Sequence, residues 1–145
     1  MDFMWADTLL AAERAHVIRL LVWGGGSVLA GTALLAWLHM GERRSGLLEH
    51  FGIQTAAWGA IDLAFGAMAH ASLAPRDLAA ATRLDRLLWL NAGLDAGYVL
   101  VGLTLAVTGW KLGRRLGLVG AGLGVIVQGA ALGCLDLLLA SQISR

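Results

Sequence analysis

Four runs of about twenty apolar residues, broken only by isolated polar side chains, constrain this chain more than anything else in it. They lie at about 17–38, 51–74, 87–110 and 118–140, and a helix needs about 20 such residues to cross the hydrocarbon core of a bilayer. Membrane β-strands would instead alternate polar and apolar residues over about ten positions, and no segment does. Charges gather in the gaps: Glu42, Arg43 and Arg44, then Arg76, Asp77, Arg83, Asp85 and Arg86, then Lys111, Arg114 and Arg115. The gaps are short, so neighbouring helices must run antiparallel. The pattern predicts an all-α polytopic membrane protein, with residues 1–145 forming one domain of four transmembrane helices in an antiparallel bundle.

Composition removes other classes. Hydrophobic residues make up 58% of the chain and charged residues 14%, against about 25% charged in soluble domains, which argues against a soluble enzyme. A net charge of +1 without a basic stripe argues against nucleic-acid binding. Cys134 is the lone cysteine and can make neither an internal disulfide nor a CxxC metal site.

The flanks follow the same logic. Trp37, Trp89 and Trp110 fall at span ends, where aromatic belts belong, while Trp23 and Trp58 lie within spans and are expected to pack inside. Met1–Ala15 is acidic at its start and lacks the basic region of a signal peptide. Thr8–Ala15 reads as a short interfacial helix. Pro75 suits the first turn of a linking helix over about 75–86, either separate or running straight into the third span. The side holding both termini has six basic residues (Arg14, Arg19, Arg76, Arg83, Arg86, Arg145) and the other side five. Six against five gives the positive-inside rule almost nothing to act on.

Self-comparison reveals a repeat. Gln54-Thr-Ala-Ala-Trp-Gly59-Ala-Ile-Asp62-Leu63 matches Gln128-Gly-Ala-Ala-Leu-Gly133-Cys-Leu-Asp136-Leu137 at an offset of 74, with six of ten positions identical. Val28-Leu29-Ala-Gly31 matches Val99-Leu100-Val-Gly102, and Arg43-Arg44 matches Arg114-Arg115, both at an offset of 71. The repeated unit is helix, basic turn, helix, over about 17–74 and 87–140. Two spans per unit give both copies the same orientation, as in parallel repeats about the membrane normal.

Six polar side chains stand inside the spans: Gln54, Asp62, Asn91, Asp95, Gln128 and Asp136. An ionisable group at mid-bilayer costs at least about 2.5 kcal/mol on insertion scales, so three aspartates must face protein or water. Spacing agrees. Asn91, Asp95, Tyr98 and Gly102 share one helical face, as do Thr55, Gly59, Asp62 and Gly66, and Gln128, Leu132 and Asp136. Gly24, Ser27, Val28 and Gly31 give the first span a small face. Arg19, the one basic residue set within an apolar run, is expected to form a structural ion pair with Asp136 or Asp95. The remaining acids are either neutral hydrogen-bond donors or the seat of a proton, a metal cation or a cationic ligand.

Other signals are weaker. His16 and His70 fall at one side, and His39 and His50 at the other; each pair could bridge spans as haem or metal ligands, although span ends suit water-contacting histidines. Gly120-Ala-Gly122-Leu-Gly124 lacks the preceding strand of a phosphate loop and reads as helix packing. Cys134 reads as a small core residue.

Trp23-Gly24-Gly25, Gln54-x-x-x-Trp58-Gly59-x-x-Asp62, Asn91-Ala-Gly93-Leu94-Asp95-x-x-Tyr98-Val99 and Gln128-Gly129-x-x-Leu132-x-x-x-Asp136 together resemble an uncharacterised bacterial family of small four-helix membrane proteins. The likeness covers about 20–140, and the third motif is its most specific part. The resemblance implies asparagine in many members at the position of Asp62, and so no strict requirement for that carboxylate. The resemblance implies a bacterial cytoplasmic (inner) membrane and supplies no activity.

Two functions remain open. One is a binding or transport module for a proton, cation or small polar or amphiphilic ligand, held by Asp62, Asp95 and Asp136 and positioned by Gln54, Asn91, Tyr98 and Gln128. The other is a structural or accessory subunit of a larger membrane complex, with the polar residues as interhelical glue. The lipid bilayer is the expected partner in both, with a homodimer or larger complex beyond it. No catalytic constellation is present, and the sequence points to no particular cofactor.

Overall fold

The computed structural model describes residues 2–143 and is built from α1 (Asp2–Met40), α2 (Gly46–Ala71), α3 (Leu78–Lys111) and α4 (Leu116–Ile143), with no strand among the described residues. Arg145 of the charge tally lies outside them. Helices are what lipid demands, because every backbone N–H and C=O must be satisfied within the segment. α1, α3 and α4 are long and apolar enough to cross a membrane. α2 has the length, 26 residues or about 39 Å, but carries His50, Gln54, Asp62 and His70 and is not among the three.

Local chemistry sets the ends. Ser45 caps α2 by accepting from the Leu48 N–H at 3.4 Å, and Asp77 caps α3 by accepting from the Ala80 N–H at 2.7 Å. Two boundaries differ from expectation. α1 absorbs the short interfacial helix over Thr8–Ala15, since no glycine or proline precedes Gly24 to break it. The linking helix runs straight into the third span, one of the two arrangements expected, but α3 begins after Asp77 and leaves Pro75 in the connection instead of in the first turn. The first and third turns each place residues in the left-handed region, Glu42 (φ 49°) in one and Gly113 (φ 74°) and Arg114 (φ 56°) in the other. Each turn folds an arginine over the tryptophan ending the preceding helix: Arg43 lies 4.1 Å from the Trp37 ring centroid and Arg114 lies 5.1 Å from that of Trp110.

α1 packs on α2, α3 packs on α4, α2 packs on α4, and α1 touches α4, whereas α3 brings no Cα within 8 Å of α1 or α2. Glycines set the close approaches. A Cβ on Gly31 would sit 2.6 Å from the Gly52 carbonyl oxygen, and one on Gly59 would sit 2.7 Å from that of Gly24. A Cβ on Gly102 would lie 2.6 Å from the Gly122 carbonyl oxygen. Gly120, Gly122 and Gly124 are likewise buried in helix packing. Leu88, Leu139 and Ala140, with Ala12, Leu84 and Ile143 against them, form a small core near the termini.

The surface is inverted relative to a soluble protein. Large apolar side chains point outward, such as Leu29 at 71% exposure, while Asp62 and Asp95 are 3% and 5% exposed. The carboxylates face protein, as their cost in hydrocarbon requires.

Gly31→Ala and Gly102→Ala should each cost about 1–3 kcal/mol through overpacking against backbone. Gly26→Ala, whose Cβ would meet nothing within 4 Å, should be neutral or stabilising by up to about 1 kcal/mol. Reversible unfolding in mixed micelles measures all three.

Candidate functional site

Each helix delivers its polar residues by periodicity. On α3 the buried positions are Ala81, Leu88, Asp95, Gly102 and Gly109, one in every seven residues. That narrow strip keeps Asp95 turned to α4. On α2 the buried positions are Gly52, Gly59, Asp62 and Gly66, so Asp62 shares the glycine face that meets α1.

A hydrogen-bonded chain ties three helices together. The Trp23 indole N–H (α1) donates to Gln128 Oε1 (α4) at 3.2 Å, and Gln128 Nε2 donates to Asp62 Oδ2 (α2). An indole can only donate and an ionised carboxylate can only accept, so the Gln128 amide has one satisfying orientation. Gln128 is 3% exposed. It therefore holds Asp62 in place and does not line the open space beside it.

Asp136 meets His16, not Arg19. His16 Nε2 lies 3.5 Å from Asp136 Oδ1, and its Nδ1 faces the Leu135 carbonyl at 3.2 Å. The expected Arg19–Asp136 pair does not form: Arg19 is exposed and makes no ion pair among the described residues. The reason is rotational phase. Val17 is buried, and a residue two positions on lies about 200° around the helix, on the opposite side.

Asp95 is the exception to this pairing. Its Oδ2 is buried without a hydrogen-bond partner among the described residues, and Asp62 and Asp136 border the same cavity. A buried acceptor left unsatisfied costs about 1–3 kcal/mol, and more when charged.

These groups border a cavity of about 510 Å³. Asp62, Asp95 and Asp136 lie in its wall together with Asn91 and Tyr98. Trp58 and Tyr98 meet across the α2–α3 seam, ring centroids 5.1 Å apart and tilted by 60°. Near the termini the connection between α2 and α3 reaches back to α1, where Arg76 Nε donates to buried Glu13 Oε1 at 2.6 Å. That hydrogen bond pushes the Arg76 pKa above its ordinary value, so the guanidinium stays charged.

Of the residues picked out from sequence, Asp62, Asn91, Asp95, Tyr98 and Asp136 border this one cavity, and Gln128 stands behind it. Gln54 does not join them; its side chain packs over Gly124 of α4. Of the histidines, His16 turns to Asp136, His50 Nδ1 faces the Gly46 carbonyl at 3.0 Å, and His39 and His70 are exposed. Among the described residues no three His, Cys, Asp or Glu side chains converge to hold a metal ion. Cys134, expected in the core, is exposed. Sequence reasoning missed His16 as the partner of Asp136, and the Glu13–Arg76 pair. The spacing of Leu9, Glu13 and Val17, all buried, was the available signal that Glu13 turns inward.

Gln128→Leu should lower stability by about 1–3 kcal/mol by stranding Asp62 and the Trp23 N–H. Combined with Trp23→Phe it should cost less than the sum of the single changes, as a double-mutant cycle in detergent would register.

No curated protein and no solved structure matches the chain. A family model does match, over residues 19–137, a stretch that takes in Asp62, Asp95, Gln128 and Asp136 and leaves Glu13 and His16 outside. The chain belongs to the family described as Family of unknown function (DUF6992).

Proposed function

We propose that this chain is a small integral membrane protein of the bacterial cytoplasmic membrane, with an intramembrane site for a cation or small hydrogen-bonding ligand. In this reading all four helices cross the bilayer as an antiparallel bundle of two tandem hairpins. A second copy or a larger complex completes any pathway through it. The observation that carries the site is Asp95, a residue that borders the cavity and whose buried Oδ2 has no hydrogen-bond partner among the described residues. Charge points the same way: Glu13, Asp62, Asp95 and Asp136 border the cavity, against Arg76 and His16. Arg76 is taken up by Glu13, and His16 lies against Asp136, so Asp62 and Asp95 have no ion-pair partner among the described residues.

Packing supports the two-hairpin reading. Gly31 approaches Gly52 and Ala56, and Gly102 approaches Gly122 and Ile126. Gly59 approaches the Gly24 carbonyl, and Gly129 approaches that of Asp95. From the first set to the second, the numbers rise by 71 on the leading helices and by 70 on the trailing ones. The sequence match at 74, which pairs Asp62 with Asp136, is therefore one helical turn out of step with the packing. Such a slip would leave the two acids at different depths along one wall.

The rival reading, polar residues as glue in an accessory subunit, is favoured for one group alone: the Trp23–Gln128–Asp62 chain. The glycine faces it would offer to partners are largely taken up within the chain. Asp95 separates the two readings. As glue it would stabilise the fold; as an unfilled ligand group it burdens it. Asp95→Asn should therefore leave the empty protein as stable as wild type, or more stable by about 1–3 kcal/mol. In phosphatidylcholine nanodiscs, at least one member of an alkylammonium series from methyl to dodecyl should raise the unfolding midpoint of wild type, by linkage of binding to folding, and none should raise that of Asp95→Asn. A destabilised variant that still responds like wild type would reject the site.

A further inference from the structure

The cavity has a second property that the site reading leaves unused, namely where it opens. α2 and α3 share no Cα approach within 8 Å, yet both line it. Ile61 and Phe65 on α2, and Leu87 and Leu94 on α3, border the space and are 42%, 61%, 53% and 50% exposed. Side chains that line a cavity and also face outward mark its rim. The rim is thus wholly apolar on these two helices and sits on the inverted, lipid-compatible surface. The opposite wall holds Asp62 and Asp95, and a volume of about 510 Å³ falls within the range of about 300–1,000 Å³ typical of small-molecule sites.

Resting on the site reading above, we infer that the ligand is an amphiphilic ammonium, seated with its N–H donors on the Asp95 and Asp62 carboxylates and its apolar chain in the α2–α3 gap, which it enters from the hydrocarbon layer. An ammonium has donors for a carboxylate whose Oδ2 nothing among the described residues satisfies, and Asp95 borders the cavity that would hold it. Among the described residues the carboxylates do not converge with other metal-ligating side chains on one point, which suits an organic cation. The chain solves a second problem. It replaces water against Phe65 and Leu94, and it concentrates the ligand in the phase onto which the gap opens. The same chemistry could be supplied by a free long-chain amine or by the amine of an aminophospholipid.

The test is ligand-induced stabilisation of the whole chain in phosphatidylcholine nanodiscs, with dodecylammonium, methylammonium and dodecanol as probes. Dodecylammonium should bind at least tenfold more tightly than either of the other two. Asp95→Asn, or Asp95→Ser should the first variant fold poorly, should weaken dodecylammonium at least tenfold. Phe65→Ala, a change at an exposed position, should weaken it about threefold to tenfold and leave methylammonium untouched. Discs of phosphatidylethanolamine locate the source: Asp95-dependent stabilisation without added amine assigns the ligand to the bilayer, and its absence assigns it to a free amine. Methylammonium binding as tightly as dodecylammonium, with both lost in Asp95→Asn, would overturn the amphiphile and leave the cation site standing. Dodecanol equal to dodecylammonium would overturn the ammonium. Binding of every probe unchanged by Asp95→Asn would overturn both this inference and the site beneath it.

Discussion

A carboxylate within an apolar run lowers its energy by turning toward protein or water and away from hydrocarbon, and that requirement organises this molecule. Each aspartate that falls within an apolar run is turned inward and fixes the rotation of its helix. Asp62 is reached by an amide that spans from α1 to α2, and Asp136 by an imidazole. The inward faces left over are then mostly glycine. They allow backbones to touch, and close backbone contact is the main attraction available where no hydrophobic force separates protein from lipid.

The four helices and their turns were legible because both follow from local chemistry. Apolar runs set the helices, and Ser45, Asp77 and the basic turns end or begin them. The inward placement of Asp62, Asp95 and Asp136 was legible because their cost elsewhere is large. What failed depended on phase or on distance along the chain. Arg19 looked like the natural counterion because it sits in an apolar run, but the buried Leu9–Glu13–Val17 line puts it on the far side. Gln54 shares a helix with Asp62, yet it is two turns away and meets α4 where Gly124 leaves room. The Glu13–Arg76 bond joins residues 63 apart, and no periodicity encodes it.

The helices are unequally held. α2 and α4 sit at the centre of the packing, while α3 is attached along a strip one residue wide in each heptad. A helix held on one side leaves its other flanks free. On the flank toward α2, the seam is bridged near Trp58 and Tyr98 and open below them, toward Phe65 and Leu87. The site's polarity and its accessibility therefore come from the same arrangement.

The length of α1 has its own consequence. At 39 residues it measures about 58 Å, and a hydrocarbon layer of about 30 Å crossed at even a 40° tilt would occupy only about 39 Å of it. Roughly a dozen residues must then stand outboard of the oil as a rigid mast. Counted from the termini side, those residues would end near Glu13, where Arg76 is hydrogen-bonded to the helix, so the α2–α3 connection would be tied to α1 close to the edge of the hydrocarbon.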